Sequence, residues 1–122
     1  MKRCMIVDDS SVIRKVAKRI LTGPEMMVVE ASTGAQALDM CTAEMPDIIV
    51  VDHGLTDMTT VEFIHQAVAI PAVIRPRIMI CLTQFDLGAI MRAKRAGAAG
   101  FVLKPFNRPQ LLERFRQFQA AA

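Results

Sequence analysis

Two acidic residues, Asp8 and Asp9, follow the apolar run Cys4-Met5-Ile6-Val7. A third, Asp52, follows Ile48-Ile49-Val50-Val51. Thr83 follows Ile78 to Leu82, and Lys104 follows Phe101-Val102-Leu103. Short continuous apolar runs of this kind read as strands buried on both sides. Three carboxylates, one hydroxyl and one ammonium therefore stand at the C-terminal ends of strands. In a parallel sheet those ends share one edge, where doubly wound folds place their ligands. Crowded carboxylates repel unless a cation joins them. Oxygen-only ligation favours Mg²⁺ or Mn²⁺ over zinc. Lys104 brings a second cation and Thr83 a hydrogen-bond donor. The set suits a phosphoryl group, because each member neutralises or hydrogen-bonds one of its oxygens. No Gly-rich phosphate loop and no candidate catalytic histidine accompany it, so no nucleotide site is evident. An aspartate can itself attack phosphorus and become an aspartyl phosphate. Asp52, at the end of the central strand and beside a loop, is the natural acceptor.

The elements that must position these groups alternate strictly. Ser10 or Ser11 caps a first helix whose apolar stripe is Val12, Ile13, Val16, Ala17, Ile20 and Leu21. Gly23-Pro24 ends it, and Met26 to Val29 reads as the second strand. Ser32-Thr33-Gly34 reads as a turn, Ala35 to Glu44 as the second helix and Pro46 as its stop. A loop from Gly54 to Thr59 precedes a third helix through Val61, Phe63, Ile64 and Val68. Asp86 caps a fourth helix that runs to about Ala96 and ends at Gly97. Asn107 caps a fifth, with Pro109 in its first turn and a stripe of Leu111, Leu112, Phe115 and Phe118. Five β-then-α units with apolar strands predict an α/β fold: a parallel sheet covered on both faces, with right-handed crossovers.

Composition narrows the function. The 122 residues are 52% hydrophobic and 22% charged, as in a globular domain, and suffice for one domain spanning 1–122. No apolar run reaches bilayer length, so membrane insertion is not expected. Residues 1–9 end in an acidic pair, unlike a signal peptide. Cys4, Cys41 and Cys81 are widely spaced within apolar runs, which points to buried free thiols in a cytoplasmic setting. Net charge is −2 over residues 1–85 and +5 over residues 86–122. The basic part reads either as a solvated face or as a docking surface for an acidic partner protein. With no Trp or Tyr and no recognition motif, nucleic acid is a poor fit.

Four motifs carry a family resemblance: Val-Asp8-Asp9-Ser10-Ser11, Ile-Val-Val-Asp52, Cys-Leu-Thr83 and Phe101-Val-Leu-Lys104-Pro105-Phe106. In this order and spacing the chain resembles the receiver domains of bacterial two-component response regulators, most of all the CheY-like single-domain chemotaxis regulators. The resemblance implies a doubly wound (βα)₅, flavodoxin-like three-layer sandwich with strand order 2-1-3-4-5. It implies that Asp52 accepts phosphate from a sensor histidine kinase or phosphotransfer protein. It implies Mg²⁺ held by Asp9, by Asp8 largely through water, by Asp52 and by the backbone carbonyl of Gly54. Lys104 would contact a phosphoryl oxygen, and its bond to Pro105 would be cis. Thr83 and Phe101 would form the switch: Thr83 draws its loop inward and the Phe101 ring follows. The readout surface would be the fourth helix, fifth strand and fifth helix, which is the basic part. Such a chain is a signalling switch and not an enzyme, beyond self-catalysed gain and loss of its own phosphate.

The departures are local. Where the family carries Met-Pro-x-Met-Asp-Gly after the acceptor, this chain reads Leu55-Thr56-Asp57-Met58-Thr59-Thr60. Thr56 replaces the proline and Thr60 the glycine, so neither a preset φ nor cheap access to positive φ is retained. Gln84 and bulky Phe85 follow Thr83, where small and polar residues are usual. These changes motivate a second reading, a degenerate receiver acting as a phosphate-independent interaction module. A Mg²⁺-dependent phosphatase fits less well, because Gly54 stands where a second catalytic carboxylate would be needed. His53 reads either as a base or ligand beside Asp52 or as a structural histidine; strand alternation points it away from Asp52. Asp57 and Asp86 read as cap or loop residues.

Overall fold

The computed structural model describes residues 1–120, with side chains as far as Gln117. The elements run β1 (Lys2–Val7), α1 (Ser11–Leu21), β2 (Met26–Ala31), α2 (Gly34–Ala43), β3 (Ile48–Asp52), α3 (Thr60–Ala69), β4 (Arg77–Leu82), α4 (Leu87–Ala96), β5 (Gly100–Leu103) and α5 (Arg108–Ala120). The strands form one parallel sheet in the order β2-β1-β3-β4-β5. The doubly wound α/β fold and the strand order are as expected.

Period-two alternation divides the core. Met5, Val7, Ile49, Val51, Ile78, Ile80 and Leu82 face one side and pack on Ala37, Cys41, Phe63, Ile64, Ala89 and Ile90 of α2, α3 and α4. Cys4, Ile6, Ile48, Val50, Met79 and Cys81 face the other and pack on Ala17, Leu21, Leu111 and Phe115 of α1 and α5. All five residues of β3 are buried, which makes it the middle of the sheet. The three cysteines are buried and free, and burial pushes their thiols up to about 12 for Cys4 and Cys81 and about 11 for Cys41.

Helix starts follow local chemistry. Ser10 caps α1 by accepting from the Ile13 amide, and Asp86 caps α4 by accepting from Ala89. Asn107 and Gln110 cap α5 reciprocally, each side-chain oxygen taking the other's amide. Three details differ from the sequence reading. Thr33 is the N-cap of α2 rather than a turn residue, and Gly34 opens the helix. Val12 is 69% exposed: the buried stripe of α1 starts at Ile13, and Val12 sits one position round the helix in its first turn. Leu112 and Val68 likewise flank their stripes and are exposed, whereas Leu111 and Phe115 are buried. The stripe residue Phe118 lies outside the described side chains. Among the described residues no helix is long and apolar enough to cross a membrane.

Candidate functional site

The same alternation gathers the polar residues. Asp52 shares the parity of Ile48 and Val50, and Asp8 that of Cys4 and Ile6. Lys104 continues the parity of Val102, and Thr83 that of Cys81. The ladder carries this register past the strand ends: the Asp8 amide donates to Ala31, the His53 amide to Cys81 and the Lys104 amide to Leu82, at 3.1, 2.9 and 2.8 Å. Residues 96 positions apart thus meet, with Lys104 Nζ 2.8 Å from Asp8 Oδ2 and 2.9 Å from Asp52 Oδ1. Asp8, Asp9 and Asp52 each offer a carboxylate oxygen, and these oxygens lie within 4.8 Å of one another. Asp8 and Asp52 are buried and Asp9 is exposed.

Each member is braced by its neighbours. Asp8 Oδ1 accepts from the Ser10 amide at 2.8 Å. Arg14 donates to the Asp8 carbonyl from Nη1 at 2.6 Å and to Glu30 Oε1 from Nε at 3.1 Å, so α1 grips the acidic turn from outside. Burial pushes the Lys104 ammonium down, but hydrogen bonds to Asp8 and Asp52 and their charges more than reverse this. Its pKa therefore sits above the ordinary lysine value, and it stays charged at neutral pH. Thr83 lies on an open cleft of about 620 Å³ that Asp52, Gly54, Phe85 and Lys104 also line. A methyl group built on Gly54 would stand 3.6 Å from Asp52 Oδ2, so this residue lies directly against the carboxylate. The Lys104–Pro105 peptide bond is cis.

The donor set fits a hard divalent cation. Every clustered ligand atom is oxygen, and three carboxylates face a single ammonium, leaving an excess of negative charge. Asp8 spends one oxygen on Lys104 and the other on Ser10, whereas Asp9 is open to solvent.

A family model, that of the response regulator receiver domain, matches residues 4–116. The chain belongs to the response regulator receiver family. The receiver is 32% identical over 112 residues to the chemotaxis protein CheY of Bacillus subtilis, covering 91% of this chain and 92% of that one. It is 27% identical over 117 residues to sporulation initiation phosphotransferase F of the same organism, covering 96% and 93%. The solved structure of the chemotaxis response regulator CheY4 of Vibrio cholerae superposes with a TM-score of 0.82 at 27% identity, over 97% of this chain and 98% of that one. Receiver domains of this family are parts of two-component signalling systems, and an acidic Mg²⁺ pocket and phosphorylation on aspartate fit the family.

The atypical loop of this receiver is held by contacts that the sequence did not disclose. Asp57 Oδ1 accepts from the Gly34 amide at 3.0 Å and Oδ2 from Ala35 at 2.9 Å, so it caps α2 from 22–23 positions away. The amides of Ala35 and Gly34 hold its carboxyl below the ordinary aspartate range. Thr60 is the first residue of α3 and is buried. Its hydroxyl donates to the His53 carbonyl at 3.3 Å and lies 3.1 Å from His53 Nδ1. His53 thus turns towards α3, as alternation predicted, and is satisfied there. Among the described residues no non-glycine has a positive φ, so Thr56 and Thr60 are accommodated without left-handed backbone.

Phe101 is half-buried beside the α2–α4 core cluster. The exposed Phe85 ring meets it edge-on at 5.8 Å, and the Arg114 guanidinium lies 4.4 Å from its centroid. Neither contact was visible in the sequence, because both depend on how the β4–α4 loop and α5 sit against β5.

Proposed function

We propose that residues 1–122 act as a phosphorylation-operated switch in which Asp52 is the acceptor. The observation that carries this reading is the placement of Lys104 between Asp8 and Asp52, on an open cleft shared with Thr83. The donor is a histidine kinase or phosphotransfer protein, whose phosphohistidine holds phosphorus on nitrogen. An Asp52 carboxylate oxygen attacks that phosphorus, the P–O bond forms, and the P–N bond breaks with its electron pair leaving on the imidazole. Lys104 neutralises a phosphoryl oxygen and Thr83 hydrogen-bonds another. Asp9, Asp52 and the Gly54 carbonyl would hold Mg²⁺ or Mn²⁺, with Asp8, whose oxygens already take Lys104 and the Ser10 amide, reaching it largely through water. That cation, when bound, offsets the charge that builds on the transferring group.

Phosphorylation shifts the balance of charge at Lys104, and the change leaves through α4, β5 and α5. Arg92, Lys94, Arg95, Arg108, Arg114 and Arg116 lie on these elements beside the exposed apolar side chains of Leu87, Met91 and Leu103. A partner protein with an acidic, partly apolar docking segment matches that surface. Chemotaxis is the setting suggested by the CheY likeness, and buried free thiols agree with a cytoplasmic one. A degenerate, phosphate-independent module remains the second reading, because Phe85 is 60% exposed on the cleft where a polar side chain is usual.

Incubation with Mg²⁺ and a small acyl phosphate tests the first reading. One phosphoryl group adds about 80 Da and roughly two negative charges, and both should vanish in Asp52→Asn. No mass gain with acyl phosphate or with a phosphorylated donor protein refutes it in favour of the second.

A further inference from the structure

The loop between β3 and α3 has no proline, and its one glycine, Gly54, lies against the Asp52 carboxylate. Its stiffness has to come from elsewhere. Its base is closed by the buried Thr60 hydroxyl on His53. Its far end is fastened to α2 by Asp57, which takes the first two free amides of that helix. Thr33 takes the next, from Gln36, at 3.1 Å. Met58 completes the fastening by lying over Gly34, where a methyl group would come within 2.7 Å of its sulfur. The negative carboxylate also meets the positive end of the α2 dipole. Gly54, Leu55 and Thr56 are the span left between these two anchors.

We propose that Asp57 is a positioning residue for the phosphoacceptor site: by bolting the β3–α3 loop to the N-terminus of α2, it fixes Gly54 beside Asp52 and so sets divalent-cation affinity. This rests on the reading of Asp52 as the acceptor within a magnesium site. Asp57 stands outside the cluster of Asp8, Asp9 and Asp52 and spends both carboxylate oxygens on α2 amides. It acts through the loop, as outer residues do when they hold a ligand in place. Thr33 supplies the control, because its hydroxyl caps the same helix through the Gln36 amide rather than through the loop.

The test measures Mg²⁺ binding by calorimetry and amide hydrogen exchange at Gly34, Ala35 and Gly54. The proteins are the wild type, Asp57→Ala, Asp57→Asn, Gly34→Ala and Thr33→Ala. Losing an outer-shell partner of a metal site typically weakens affinity by about 10–100-fold, and we expect about tenfold for Asp57→Ala, with faster exchange at Gly54. Asp57→Asn keeps one carbonyl acceptor and should recover part of the loss. Gly34→Ala displaces Met58 and should weaken binding with both Asp57 hydrogen bonds still available. Thr33→Ala should lower the melting temperature yet leave affinity within about twofold of wild type. Affinity within twofold for Asp57→Ala overturns the inference, as does an equal loss in Thr33→Ala, which would make the effect one of helix stability. If the wild type binds Mg²⁺ and Asp57→Ala does not, but acyl phosphate labels neither, the positioning role stands and the phosphoacceptor reading falls. If the wild type binds no Mg²⁺, both fall.

Discussion

Removing a charged residue from the pocket should make the metal-free protein more stable. Asp9 is exposed, no hydrogen bond or ion pair among the described residues holds its carboxylate, and an oxygen of it lies within 4.8 Å of oxygens of both Asp8 and Asp52. Two unit charges about 5 Å apart repel by about 3 kcal/mol at an effective dielectric of about 20. Asp9 faces two such carboxylates, and Lys104 cancels about one of them. Solvent around an exposed group screens the remaining repulsion to about 1 kcal/mol. A negative charge just before the N-terminus of α1 is favourable by a few tenths of a kcal/mol, which offsets part of this. Asp9→Ala should therefore gain about 0.5–1 kcal/mol without metal, a rise in melting temperature of about 2–4 °C at this chain length. Magnesium should invert the order. At about ten times its dissociation constant a ligand stabilises the native state by about 1.4 kcal/mol. The wild type should gain this and the variant little of it. Thermal melts in a chelator and across a magnesium series give both halves. A lower melting temperature for Asp9→Ala in the chelator would falsify the picture of crowded, undercompensated carboxylates.

Two further outcomes follow from contacts around the pocket. The hydrogen bond from Lys15 holds Glu30 below the ordinary glutamate range, against its own burial, with Arg14 and Lys18 adding to it. A lowered folded-state value means that this stabilisation is complete above the unfolded value of about 4.3 and is lost as pH falls through the folded one. Glu30→Gln should accordingly narrow the gap between melting temperatures at pH 6 and pH 3, and an unchanged gap removes Glu30 from the acid response. The Arg114 guanidinium on Phe101 is worth about 0.5–1 kcal/mol as a cation–π contact. Arg114→Ala should shift the population of Phe101 ring positions by a few-fold, read from fluorine signals of labelled phenylalanine. Identical spectra with and without Arg114 mean that it does not hold the ring.

The sheet and the acceptor pocket were legible because both are written in short-range pattern. Ile48 to Val51 is apolar without interruption, and Asp52 stands where the run stops; nothing tertiary is needed to see that. The same holds for Asp8 and Lys104, since parallel strands bring their ends together whatever the helices do. Ser10, Asp86 and Asn107 announced their helices through side chains that bond three residues ahead. Asp57 could not be read this way, because it caps α2 rather than the helix that follows it. Val12 and Leu112 fall outside the core because hydrophobicity marks a stripe but not its edge. One position of helical rotation, about 100°, separates the core from solvent. The Arg114–Phe101–Phe85 stack depends on how three elements meet, which no window of sequence contains.

Among the described residues, the cation of the acidic pocket is carried by the shortest strand of the sheet, at its rim. Lys104 follows β5, a four-residue rim strand with a neighbour on one side only, whereas both carboxylates that it joins stand at the sheet's centre. The two ion pairs of Lys104 therefore tie the end of the rim strand to the ends of β1 and β3. A group that competes for the amine would therefore also release a tie between the rim and the interior of the sheet. Such a molecule needs no separate wire between its charged interior and its perimeter.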